Sequence, residues 1–285
     1  HERVRHMIEA DTAIRGPENI DPRIGDDDSG TLLISDWGAH AARAPISAAR
    51  RDAPSHALRA SGIYILRSDA FSCHVACGPN GQQGICGHAH NDKLSVVILL
   101  KGQPILVDSG TFCYSADIAL RNGFRSTAMH NTIVVDGREQ NPFKDWRMLK
   151  DHAHAHCVVW KDSEDKTFFL GEHSGYREFG VTHRRTIQLD KHRRRLVFLD
   201  EMKGEGAHVY DFHLHFAPGL TREKLRLKAN RVLLPEGEII FQEDILPRLL
   251  DTVYSTIYGR QVPNLTLHLQ ARVVGDWRLP WELLT

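Results

Sequence analysis

From Gly62 onward the chain repeats one pattern, short apolar runs divided by charged or Gly-containing turns. In the first half the runs are 63–67, 72–77, 96–100 and 132–135. In the second half they are 152–160, 167–173, 181–189, 196–200, 209–216, 224–234, 238–242, 253–258 and 265–274. Runs of this length, rich in β-branched and aromatic residues, read as strands. No helical periodicity alternates with them, so the pattern predicts stacked antiparallel sheets and argues against a parallel α/β fold. The fold class expected is mainly β, a large antiparallel β-sandwich, with a short helical segment at the N-terminus. That helix is predicted over 2–14, amphipathic and closed by Gly16-Pro17. Residues 22–30, with Asp26-Asp27-Asp28, read as a solvated turn, because no bidentate Glu follows to complete a calcium loop. Residues 39–55, rich in Ala and Arg with two prolines, read as mixed helix and linker.

Composition changes this picture little. A chain of 285 residues can bury a sizeable core in one large β domain or two smaller ones. Lys plus Arg equals Asp plus Glu at 36 each, so no net field favours nucleic acid or an anionic membrane. No apolar stretch approaches the ~20 residues of a membrane span. The 5 cysteines are irregularly spaced and do not form a disulfide framework. Cys73, Cys77 and Cys86 read as buried free thiols, since strand positions four apart lie roughly 13 Å from one another, too far to share one ion.

Candidate chemistry concentrates between residues 87 and 140. The sequence there runs Gly87-His88-Ala89-His90-Asn91-Asp92-Lys93-Leu94-Ser95, an apolar run, a Lys101-Gly102-Gln103-Pro104 turn, and a second apolar run ending at Asp108-Ser109-Gly110-Thr111. Two strands joined by such a turn form a hairpin, which sets Asp108 beside His90. His130 opens the 132–135 run, expected to join the same sheet. His90, Asp108 and His130 then make a plausible three-ligand zinc site with a fourth position open. His88 shares a strand face with His90, roughly 7 Å along; it is a fourth ligand or stands free to move protons.

Three ordered segments carry a family resemblance: Gly-His-Ala-His-Asn-Asp-Lys-Leu-Ser at 87–95, Val107-Asp108-Ser109-Gly110-Thr111-Phe112-Cys113-Tyr114, and Arg125-Ser126-Thr127-Ala128-Met129-His130-Asn131-Thr132. Together they resemble the heparinase II/III-like polysaccharide lyases. The resemblance implies zinc on His90, Asp108 and His130, and His88 facing the substrate. It also implies roles for Tyr114, as a second candidate proton carrier, and for Arg125, in substrate binding. Members pair this β-rich part with a preceding α/α toroid that supplies other catalytic residues. By that comparison residues 1–55 correspond to the toroid's tail and a linker, and 56–285 to the β-sandwich domain. The upstream toroid domain is then an expected partner, an acidic polysaccharide or oligosaccharide the expected substrate, and the periplasm or exterior the expected location.

The chemistry so implied is β-elimination at a uronic acid residue, which needs a neutralised carboxylate, a base for the C5 proton and an acid for the departing O4. Two other classes remain open. A cupin-like metalloenzyme also uses His-x-His in a β fold, but its following Glu is absent, since Asn91 to Ser95 contain none. A non-catalytic carbohydrate-binding β domain is the stronger competitor.

The remaining histidines have simpler readings. His152, His154 and His156 alternate on one strand face and read as an exposed polar row. His213 and His215, flanked by Phe212, Leu214 and Phe216, read as satisfied sheet histidines. Arg184 and Arg185 are solvated arginines, or one of them reaches an anionic sugar.

Overall fold

A computed structural model describes residues 2–26, 53–81, 84–145, 149–242 and 245–285. Helix α1 (Glu2–Arg15) leads into strands β1 (His56–Leu58), β2 (Ile63–Arg67), β3 (Phe71–Ala76), β4 (Val96–Leu100) and β5 (Gln103–Leu106). Helix α2 (Ile118–Phe124) and a single 3-10 turn (Thr127–Met129) precede β6 (Ile133–Val135). Long strands follow: β7 (Ala155–Asp162), β8 (Lys166–His173), β9 (Val181–Asp190), β10 (Arg195–Gly204) and β11 (Ala207–His215). The chain ends with β12 (Arg226–Lys228), β13 (Arg231–Leu234), β14 (Gly237–Phe241), β15 (Arg248–Ile257), β16 (Arg260–Val274) and β17 (Trp277–Leu284).

These strands form an antiparallel sandwich. One layer is the 8-stranded sheet β12-β13-β14-β17-β10-β9-β8-β7. The facing layer consists of β1-β2-β3-β4-β5 and β15-β16-β11-β6. These two sheets are stitched where Leu106 bridges Phe216 and where Val107 N donates to His215 O at 2.9 Å. One hydrophobic cluster draws on all three sheets. Along β9 every second residue from Val181 to Leu189 is buried, the period-2 signature of a half-buried strand. Tyr64 meets Phe169 across the layers, and Phe212 meets Phe241 and Trp281.

Strands β3 and β4 are buried at every position, so both of their faces are covered. On the face away from the main cluster, Arg67 Nη2 donates to Ala13 O at 3.0 Å and His74 Nε2 bonds Ile14 O at 2.7 Å. The last carbonyls of α1 thus find partners in the sheet, and cationic or polar donors suit that helix end.

Three expectations are corrected. Residues 87–95 form an irregular loop, with Leu94 at a φ of 61°, and do not extend β4. Strand β6 pairs with β11 in the other sheet, not with the β4–β5 hairpin. The 224–234 run breaks into β12 and β13 at Ala229, whose φ is 50°. Beyond these, β17 is a central strand despite Pro280, a residue usually confined to sheet edges. Most of 39–55 and the pair Asp27-Asp28 lie outside the described residues.

Trp281 anchors the sandwich. It pairs in register with Phe198, their rings 3.7 Å apart and near-parallel at 3°, and its Nε1 donates to Asp200 at 3.0 Å. Trp281→Ala is expected to cost about 3–5 kcal/mol. Urea unfolding should show this as a lower midpoint at unchanged slope.

Candidate metal centre and active site

The loop 87–95, the end of the β4–β5 hairpin and the turn before β6 converge at one point. His90, Asp108 and His130, all buried, each offer a ligand atom, and these atoms lie within 4.8 Å of one another. Hairpin geometry delivers Asp108, as the sequence suggests. His130 arrives differently, at the end of the Thr127–Met129 turn, and His90 sits on the loop.

Hydrogen bonds decide which nitrogens face inward. His130 Nδ1 bonds Asp108 Oδ2 at 2.9 Å, and His90 Nε2 bonds Asp26 Oδ1 at 2.8 Å. The other ring nitrogens, His130 Nε2 and His90 Nδ1, are buried without a partner. Asp26 behind His90 fixes a tautomer whose Nδ1 presents a lone pair, the arrangement metal-bound histidines adopt, while Asp108, which bonds His130, is itself a member of the cluster. Two orphaned imidazole nitrogens and one carboxylate are a donor set that fits a divalent cation such as zinc. Burial alone would raise the Asp108 carboxyl, but the His130 imidazole outweighs it and holds it low. Burial likewise pulls His130 down, and Asp108 reverses the sign and raises it.

Asp26 departs from the expected solvated turn. Its side chain is 2% exposed and accepts from His90, from His88 Nδ1 at 3.0 Å and from Arg121 Nη2 at 3.2 Å. Burial would raise its carboxyl, yet His90, Arg121 and His88 together lower it to about 2. In sequence, three adjacent aspartates carry no sign of which one turns inward.

His88 is the exposed member, its side chain 66% accessible. It borders a cleft of about 240 Å³ that Asn80, His90 and Lys93 also line. Tyr114 stands edge-on to it, ring centroids 6.4 Å apart, and stacks on Tyr258 at 5.7 Å. The guanidinium over the Tyr114 ring, at 4.8 Å, belongs to Arg121. Arg125, one helical turn on, is only 1% exposed; it donates to Asn122 Oδ1 and Asp145 O and stacks near Phe143. Burial, with Arg121 nearby, lowers it to about 10. Arg125 therefore lies beneath the site, and Arg121 is the arginine that reaches it.

Other sequence candidates resolve simply. Cys73, Cys77 and Cys86 are buried free thiols. His154 and His156 are exposed, and His156 faces Glu172 at 3.4 Å. His215 is satisfied by Ala128 O and Thr266 Oγ1, whereas His213 Nδ1 has no partner. Arg184 is half-exposed and pairs with Glu172, while Arg185 is wholly buried against Asp200, contrary to the solvated reading.

The family model described as Heparinase II/III-like, C-terminal, matches residues 50–281. The chain belongs to this family. A heparin-sulfate lyase of Pedobacter heparinus is 33% identical to the heparinase II/III-like chain over 91 residues, 30% of this chain and 13% of that protein. Among solved structures, heparan sulfate lyase HepC from Pedobacter heparinus superposes with a TM-score of 0.77 at 18% identity, covering 99% of this chain and 46% of its own. A heparinase III structure gives 0.74 at 15% identity, covering 99% and 48%. The heparinase II/III-like chain thus spans less than half the length of these solved relatives, and they share its sandwich fold. Among the described residues no helix is long and apolar enough to cross a membrane.

The buried titratable groups give this heparinase II/III-like fold a defined response to acid. Burial lowers His74 and His213 to about 4 and His215 to about 3. Below the ordinary pKa of 6.5 the unfolded chain takes up protons that the folded one refuses, so stability present above pH 6.5 is lost as pH falls toward 4. Asp200 adds to this: burial opposes its ionisation, but Arg185 and His183 hold it at about 2, so its contribution is lost between about pH 4 and 2. Each fully buried histidine contributes a slope of up to about 1.4 kcal/mol per pH unit. Denaturant midpoints measured from about pH 6.5 to 5 should fall steadily as the pH drops.

Proposed function

We propose that this domain is part of a polysaccharide lyase that cleaves a uronic-acid-containing acidic polysaccharide by β-elimination, with zinc on His90, Asp108 and His130. The observation carrying the reading is His88, exposed on a cleft and bonded to the buried Asp26, directly beside the His90–Asp108–His130 cluster. The names of the relatives, heparin and heparan sulfate lyases, support the substrate class. The reading includes an α/α toroid domain working with this one, and a periplasmic or secreted location.

With Nδ1–H of His88 donated to Asp26, Nε2 carries the lone pair. The elimination removes the C5 proton, moves that electron pair into a C4–C5 double bond and expels O4, which takes up a proton. His88 Nε2 serves as one proton carrier, and Tyr114 is the second candidate. Asp26, held ionised, stabilises the imidazolium that forms and keeps the ring oriented. Arg121 keeps positive charge at the same place, bonding both Asp26 and Gly87 O. Arg125, assigned to substrate by the resemblance, acts from beneath by fixing the segment between α2 and His130; Asn91 N donates to its carbonyl at 3.0 Å. Bound zinc would supply fixed positive charge that braces the His90 loop.

Neutralising the substrate carboxylate falls to the toroid in this reading. One missing donor of that kind lowers turnover by about 10²–10³-fold. Purified residues 1–285 and the same residues joined to their toroid should be incubated with heparan sulfate and other uronate polysaccharides, following absorbance of the unsaturated product. The expected result is weak activity alone and strong activity joined. Retained polysaccharide binding with no unsaturated product from either form would favour a carbohydrate-binding module.

A further inference from the structure

Arg185 sits on β9, in the layer opposite the metal cluster, and is 0% exposed. Its Nε donates to Asp200 Oδ1 at 2.7 Å. Its Nη1 crosses the core to donate to Leu94 O at 2.5 Å and to Asn131 O at 2.7 Å. Leu94 closes the loop that carries His90, and Asn131 is the neighbour of His130. One nitrogen thus ties the two histidine-bearing segments together.

The pair behind it is firmly held. Asp200 also accepts from His183 Nε2 at 2.8 Å and Trp281 Nε1 at 3.0 Å, so it cannot follow Arg185 if the loops drift. Asn131 is equally constrained: its Nδ2 donates to Val96 O and Val107 O, and its Oδ1 accepts from His215 N at 2.6 Å. Burying two charges costs several kcal/mol per ion, and apolar residues of similar volume often fill such space with equal or greater stability. Arg185 Nη2 is moreover left without a partner, so the pair is not optimised for stability alone. What the guanidinium supplies that an apolar side chain cannot is a fixed separation between two carbonyls.

We infer that Arg185, braced by Asp200, is a positioning residue for the metal cluster: it holds the His90 loop and the His130 turn at the separation that lets both imidazoles share one divalent cation. This rests on the metal reading above. Such supporting contacts set metal affinity by about 10–100-fold.

The test uses residues 1–285 with zinc and cobalt(II) as probes. Arg185→Lys keeps the charge beside Asp200 but not the planar fork that spans Asp200 and both carbonyls. It should weaken zinc binding by about 10–100-fold, read by competition with a chromophoric chelator, and alter the visible spectrum of bound cobalt(II). Val232→Ala is the control, since it removes buried apolar volume on β13 and no donor to Asp200; it should lower the melting temperature and leave zinc affinity and the cobalt spectrum unchanged. Equal affinity in Arg185→Lys and wild type overturns the inference. So does an equal loss in Val232→Ala, which would mark general loosening. If Arg185→Lys does not fold, wild-type protein decides: zinc must shift the NMR signal of the buried Arg185 Nε–H, and an unmoved signal overturns the inference. A wild-type chain that takes up no zinc or cobalt fails at the metal reading itself, an outcome distinct from zinc binding that ignores Arg185.

Discussion

His90→Ala is expected to abolish stoichiometric zinc uptake and to lower the melting temperature by on the order of 5–10 °C. Two losses add. The cluster loses an imidazole whose Nδ1 is buried and unpartnered, and with it the stabilisation that a bound ion gives the folded state, about 2.7 kcal/mol at a hundredfold excess over Kd. Asp26, 2% exposed, also loses its closest donor and keeps only Arg121 and His88 among the partners described above. A buried acceptor deprived of a partner costs about 1–3 kcal/mol more. Elemental analysis and calorimetry, with and without a chelator, check both parts. Chelation should lower the wild-type melting temperature and leave that of the variant unmoved. A variant that keeps its metal would remove His90 from the ligand set.

The second large effect is kinetic. His88→Ala should reduce elimination by about 10²–10⁴-fold in the toroid-linked protein, the usual worth of a positioned proton carrier. Zinc content should stay the same and the melting temperature should move by about 1 °C at most, because the side chain is 66% exposed and holds only one edge of Asp26. The contrast with His90 is the point of the experiment: two histidines bonded to the same carboxylate separate into one that does chemistry and one that does structure. Equal loss of zinc from both variants would make His88 a ligand.

The sheets were legible because strands such as β8, β9 and β10 fall in short apolar runs divided by turns; the alternation of burial along them shows only in the fold, since Phe168 and Leu170 stand on the less buried face of β8. Strand β17 was hidden by Pro280, and β6 was placed in the wrong sheet because three apolar residues carry no information about their partner strand. At the site, Asp108 could be found from hairpin geometry, whereas His90 and His130 were legible only from residue type and motif, because a loop and a 3-10 turn carry them. Asp26 could not, since its role depends on where the segment after α1 passes, and no local spacing encodes a contact 62 residues away. Arg121 and Arg125 share a helical face and differ only in which one the fold buries away from His88. Arg185 reads in sequence as one of several arginines among polar neighbours; only the packed core shows that it spans two layers.

That span bears on the order in which the chain folds. The bond from Arg185 to Leu94 closes 91 residues of chain, and the bond to Asn131 closes 54. Contacts of such separation form late, after local hairpins such as β4–β5 have brought their own ends together, because loop closure must precede any gain from them. A nascent or partly refolded chain therefore has the hairpin and the histidines before it has the cluster. Metal capture becomes a report on finished assembly, and in a refolding experiment zinc uptake should trail the gain of β structure.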